Sequence, residues 1–222
     1  MRATALHRAC AHARSHARTH ARTQTRARLH KGDGASDSLF HFSFFIPGSS
    51  GGWCVSDADC LARSKTALGT NKGLKPTSPE PAGYCGSALL SDDAAVNPSI
   101  WDWASVYVPY CDGSSYTGSV VDSVPVGAEN ITYRGRWIRD ALVPHLASAH
   151  GLAAATDVVV GGCSAGGLTV YLNLDAIAGQ IHALSPGARV RGLADAGFFL
   201  DAPDWQGQPL RTPLFQWGFD AW

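Results

Sequence analysis

Between residues 105 and 200 the hydrophobic pattern switches repeatedly between two periods. Ser105 to Tyr110 reads SVYVPY, β-branched and aromatic, and predicts a strand. Cys111-Asp112-Gly113-Ser114-Ser115 then turns the chain. From Arg136 to His150 the apolar residues Trp137, Ile138, Ala141, Leu142, Leu146 and Ala149 fall on one stripe, which predicts a helix. Pro144 should kink it and Gly151 should stop it. Asp157-Val158-Val159-Val160 is a short apolar run of the kind buried in parallel sheets. A glycine-rich turn over residues 161–167 leads into a second helix, from about Ala165 to Ala178. Val190 to Ala194 and Pro213 to Phe219 are two more candidate strands. Strand, helix, strand, turn, helix, strand predicts an α/β fold with a mostly parallel sheet and flanking helices.

The beginning of the chain has a different texture. Residues 1–30 alternate Ala, Arg, His and Thr with almost no large apolar side chain, so they are expected to be disordered. Their Arg-rich, acid-free composition also suits a transit peptide or a misassigned gene start. The run Leu39-Phe40-His41-Phe42-Ser43-Phe44-Phe45-Ile46 reads either as a leader-like apolar segment or as a buried strand. Residues 69–86, rich in Gly, Pro, Lys and Ser, read as a surface loop. The chain therefore divides into a tail over 1–38 and one domain over 39–222, a length that supports a single core.

Composition narrows the function. Hydrophobic residues make up 45% and charged residues 16% of 222, a globular balance. The formal net charge is zero, but eight of the 18 Lys and Arg lie in residues 1–31, which carry no acid. The remainder carries a net charge of −8, which argues against a nucleic-acid partner. No stretch is long and apolar enough to span a bilayer. Six cysteines occur without a CxxC pair, so a zinc ribbon or thioredoxin-type site is not expected. Cys54 and Cys60 are spaced to close a small loop, and disulfides would place the protein in an oxidising, extracellular setting. Free buried thiols are the alternative.

The chemistry centres on Gly162-Cys163-Ser164-Ala165-Gly166, a G-x-S-x-G between a predicted strand and a predicted helix. Such a turn reverses tightly, needs small residues on both sides, and lifts the serine hydroxyl above the sheet edge. The helix behind it aims N–H groups at developing negative charge. Ser164 is the candidate nucleophile and the Ala165 N–H a candidate oxyanion donor. Gly51-Gly52-Trp53-Cys54 is a second glycine-rich segment, and Gly52 and Trp53 fit the further oxyanion donors that such hydrolases take from an early loop. The same segment also reads as an ordinary turn. Neither a P-loop lysine nor G-x-G-x-x-G is present.

Six segments together resemble the pectin acetylesterase family, which includes the Notum-type carboxylesterases. They are GGWC (51–54), NPSIWDW (97–103), VPYCDGSSYTG (108–118), YRGRWI (133–138), VVVGGCSAGGL (158–168) and LADAGFFLD (193–201), in the family's order. The resemblance implies an α/β-hydrolase-like fold, a serine ester hydrolase, and secretion or a cell-wall location. It implies Ser164 as nucleophile, Gly52, Trp53 and Ala165 as oxyanion donors, and Asp220, in TPLFQWGFDAW, as the triad carboxylate. It implies no metal and no organic cofactor. The substrate would be an acylated polysaccharide such as acetylated pectin; the alternative is a Notum-like lipid ester. The segment between Asp201 and Thr212 is shorter than in the family, and its strands before GGWC are not evident. The family order places the catalytic His after the Asp, where only Ala221 and Trp222 follow. His41, His145, His150 and His182 are misplaced for that order. The expectation is an incomplete member, either with little turnover of its own or serving as a non-catalytic binding protein.

Overall fold

The computed structural model describes residues 40–45, 52–66, 69, 87–91, 93–109 and 112–221. The predicted tail over 1–38 lies outside these residues. The described chain forms a four-stranded sheet in the order β2-β1-β5-β6, with β1 at Phe40–Phe45, β2 at Ala104–Pro109, β5 at Asp157–Cys163 and β6 at Arg189–Asp195. All three pairings are parallel. A separate hairpin joins β3 (Val124–Val126) to β4 (Glu129–Ile131). The helices are α1 (Asp57–Ser64), α2 (Gly135–His150), α3 (Ala165–Leu184) and α4 (Thr212–Ala221). This is the expected α/β architecture of the α/β-hydrolase kind.

The apolar run before residue 46 is strand β1, and it lies inside the sheet. Phe40 pairs with Ala104 on one side and Val158 on the other. A strand of the sheet therefore precedes GGWC, and of the two readings of this run the strand holds. Sequence periodicity alone cannot separate a short apolar strand from other apolar segments.

The core follows from the two periodicities. Val106 and Val108 of β2 and Val158 and Val160 of β5 are fully buried, alternating as strand residues on one face do. Ile138, Leu142, Val143 and Leu146 bring in α2, and Val170, Ile177 and Ile181 bring in α3. At roughly 1.5–3 kcal/mol per large apolar side chain, this cluster is the main stabilising term. α2 continues through Pro144 and ends at Gly151, which takes the left-handed conformation with φ 78°. α3 runs six residues past the predicted end, because the exposed Gly179 is accommodated within it. It stops at Ser185, before Pro186.

Two corrections have clear causes. Residues 213–219 form a helix and not a strand. Pro213 sits in the first turn, where its fixed φ suits a helix. Leu214, Phe215, Trp217, Gly218 and Ala221 are its least exposed positions, and their i, i+1, i+3, i+4, i+7 spacing is helical. Helix α1 was read only as a polar loop. Ser56 caps it by accepting from the Asp59 N–H at 3.2 Å, while Asp59 accepts from the Val55 N–H at 3.0 Å.

Two glycine substitutions test this packing. A Cβ on Gly179 would meet nothing within 4 Å, so Gly179→Ala is expected to stabilise by ~0.5–1 kcal/mol, raising Tm by about 1–4 °C. A Cβ on Gly167 would lie 2.6 Å from Gly197 Cα and 2.7 Å from the Asp195 carbonyl, all backbone. Gly167→Ala is therefore expected to cost roughly 1–3 kcal/mol. Thermal denaturation of both variants reads the two opposite signs.

Candidate active site

β5 ends in three buried residues, Gly161, Gly162 and Cys163, and α3 begins with three more, Ala165, Gly166 and Gly167. Ser164 stands exposed between them with φ 57° and ψ −122°. Positive φ is unfavourable for a residue with a side chain, at a cost of order 1–3 kcal/mol. The sharp strand-to-helix turn expected of a nucleophilic serine is therefore present. The Ser164 N–H donates to the Asp195 carbonyl at 2.9 Å, and its carbonyl accepts from the Leu168 N–H at 2.9 Å. The first bond fastens the turn to the end of β6 and the second starts α3. Cys163 and the Cys54–Cys60 pair are disulfide-bonded, so the free-thiol alternative does not hold for them.

Trp53 and Ala165 come together through a third residue. The Trp53 Nε1–H donates to Ser115 Oγ at 2.6 Å. The Ser115 hydroxyl donates to the Ala165 carbonyl at 2.8 Å. Thr169 Oγ1 donates to that same carbonyl at 2.9 Å. Asn173 Nδ2 donates to the Ser115 carbonyl at 2.8 Å and to the Thr169 carbonyl at 3.0 Å. Ser115, Thr169 and Asn173 are all buried, so this is a satisfied polar network within the core. It joins the GGWC segment, the loop after β2 and the first turns of α3. Gly52 is adjacent to Trp53 in this segment. α4 reaches the same segment, with the Phe215 ring set edge-on to Trp53 at 5.9 Å.

The loop carrying Ser115 has its own anchor. Ser115 and Tyr116 have φ of 51° and 59°. The Asp112 carboxylate accepts from the Tyr116 N–H at 3.0 Å, the Ser114 N–H at 3.3 Å and the Ser114 hydroxyl. Burial pushes its pKa above the usual carboxylate range, against the opposing effect of these hydrogen bonds and of nearby Arg63. Sequence reasoning treated residues 111–115 only as a turn and missed Asp112, Ser115, Thr169 and Asn173. The one available signal was a polar asparagine amid the apolar stripe of α3.

Asp220 is exposed on α4, where its carboxylate accepts from Gln216 Nε2 at 3.0 Å. Among the described residues no hydrogen bond joins Ser164 to Asp220 or to a histidine. His145 and His150 face each other with rings 5.4 Å apart near the end of α2, and burial lowers both pKa values. His182 Nε2 lies 3.1 Å from the Ala188 carbonyl, at the far end of α3. Eighteen helical residues from Ser164 amount to about 27 Å. All three side chains sit at the edge where β5 and β6 begin, opposite the serine.

Comparison with known proteins identifies the relatives of this chain. The family model for Pectinacetylesterase matches residues 27–218. Pectin acetylesterase 5 of Arabidopsis thaliana is 32% identical over 186 residues, which is 84% of this chain and 40% of the relative. Pectin acetylesterase 11 of the same plant is 30% identical over 177 residues, 79% of this chain and 40% of the relative. The palmitoleoyl-protein carboxylesterase NOTUM of Homo sapiens is 33% identical over 153 residues, 68% of this chain and 29% of the relative. The chain thus spans about 40% of the length of the plant relatives it matches.

The buried Asp112 gives a pH signature. Because its folded pKa is raised, the native state keeps this proton to higher pH than the unfolded chain does. The stabilisation is complete below the unfolded value of about 4 and is lost as pH rises through the raised folded value. Asp112→Asn removes that titration. Urea unfolding between pH 4 and 7 is expected to show a steeper decline for the wild type than for the variant, and parallel curves would contradict the assignment.

Proposed function

The chain belongs to the pectinacetylesterase family, and from that premise we propose that it is a serine carboxylic-ester hydrolase that removes acetyl groups from pectin or a related glycan. The single observation that carries this reading is the exposed Ser164 at a left-handed strand-to-helix turn.

Ser164 Oγ attacks the ester carbonyl while a general base takes its proton and passes it to the leaving alcohol. The backbone N–H groups of Gly52, Trp53 and Ala165 are assigned to the oxyanion, each worth roughly 3–4 kcal/mol in the transition state. Water then releases acetate from the acetyl-serine by the reverse proton path. Asp220 is assigned as the carboxylate that orients the base. The support for this is that α4 lies against Trp53. No described side chain is assigned as the base. The scheme uses neither metal nor organic cofactor. An extracellular or cell-wall location suits the disulfides of Cys54–Cys60 and Cys163. Among the described residues no helix is long and apolar enough to cross a membrane.

A second reading, an ester hydrolase acting on lipid acyl groups, is favoured by the likeness to NOTUM. Acyl chain length separates the two. Incubation with p-nitrophenyl acetate is expected to release nitrophenolate and leave acetyl on Ser164, faster than the palmitate ester reacts. Acetate release from acetylated pectin should accompany it. Ser164→Ala should lose the adduct. Acetylation only at other residues, with an unchanged rate in Ser164→Ala, would leave a binding role as the reading.

A further inference from the structure

Ser115 is wholly buried, and both its hydroxyl and its carbonyl are engaged. Its hydroxyl accepts from the Trp53 indole and donates to the carbonyl of Ala165. Trp53 and Ala165 lie on segments far apart in sequence, and the ester-hydrolase reading assigns both as oxyanion donors. Resting on that reading, we infer that Ser115 is a positioning residue that sets the separation of the two donor segments of the oxyanion hole.

The chemistry makes the spacing demanding. Donors must sit about 2.7–3.1 Å from the oxygen as it becomes charged. The Ala165 N–H is fixed by α3 and by the Ser164 turn. The Trp53 N–H belongs to the segment that follows β1 in the chain. The Ser115 hydroxyl ties the two residues together through other atoms, accepting from the Trp53 indole Nε1–H and donating to the Ala165 carbonyl. The hydroxyl can do so because the backbone holds φ 51° at Ser115, with Asp112 accepting from Tyr116 and Ser114. Asn173 clamps the Ser115 carbonyl from α3, so the bridge moves with the helix that carries Ala165. Ser115 acts through Trp53 and Ala165 and makes no contact with the ester in this scheme.

Ser115→Gly is the informative variant, since glycine tolerates the left-handed backbone and removes only the bridge. The readout is Ser164 acylation by p-nitrophenyl acetate in the full 222-residue chain, with its maximal rate and half-saturating ester concentration. The expected result is a maximal rate lower by roughly 10- to 100-fold, somewhat less than outright loss of an oxyanion donor. The half-saturating concentration should stay within about twofold. Trp53→Phe removes the indole donor from the other side and should act similarly. The double variant should be no worse than either single one, because both remove one interaction. If Ser115→Gly fails to fold, Trp53→Phe decides alone. A wild-type maximal rate in the folded Ser115→Gly, or in Trp53→Phe where that is the deciding variant, overturns the proposal and leaves the ester reading intact. Multiplicative effects in the double variant also overturn it. No Ser164 acylation in the wild type overturns both.

Discussion

Ser164 occupies a backbone conformation that its own side chain disfavours, and the surroundings of the turn are arranged to hold it there. The strain is of order 1–3 kcal/mol and is affordable only in a structure that over-determines the turn. The first constraint is β5, whose last residues are paired with β1 and β6 and buried. The second is the bond from the Ser164 N–H to the Asp195 carbonyl. The third is the close approach of Gly167 to Gly197, which leaves no room for a side chain on either backbone. Together these fix α3 relative to the end of β6. The hydroxyl can then remain exposed while its neighbours on both sides are buried.

The polar network around Ser115 uses the same logic in a different currency. A buried hydrogen-bonded group contributes about 1 kcal/mol net, but leaving it unsatisfied costs up to about 3 kcal/mol. Ser115, Thr169 and Asn173 therefore favour one arrangement of three segments over nearby alternatives. Apolar packing of α2 and α3 on the sheet supplies most of the stability and tolerates small shifts. The division of labour is between an apolar core that supplies stability and a polar cluster that ties the GGWC segment, the Ser115 loop and α3 together.

How much was legible in the sequence follows from the range of each interaction. β5, the Ser164 turn and the start of α3 are local, so Val158–Val160 and the glycines on both sides of Ser164 announced them. α2 was legible from its apolar stripe and Gly151. Residues 213–219 were misread because Leu214, Phe215, Trp217 and Phe219 are good strand formers, while the helix is fixed by Pro213 and by packing toward Trp53. β1 was ambiguous because an apolar run of that length carries no period. The three-residue strands of the β3-β4 hairpin were too short to register. Ser115 was invisible for a stronger reason. Its partners Trp53 and Ala165 are 62 and 50 residues away, and nothing local marks a serine as a bridge.

Sheet polarity constrains what can complete the site. In a parallel sheet the loops at the carboxyl ends of the strands share one edge, and ligands bind there. β2 leads to the Ser115 loop, β5 to Ser164, and β6 to Ala196 and the segment that joins α4. α2 and α3 each return the chain to the opposite edge before the next strand, so side chains at their carboxyl ends are carried away from Ser164. That is why His145, His150 and His182 are unsuited as its base whatever their protonation. A residue able to serve must follow a strand's carboxyl end or enter that edge from elsewhere. α4 satisfies this condition through Phe215 on Trp53, while Asp220 on the same helix is exposed and hydrogen-bonded to Gln216. Any group that activates Ser164 must reach it at that edge too.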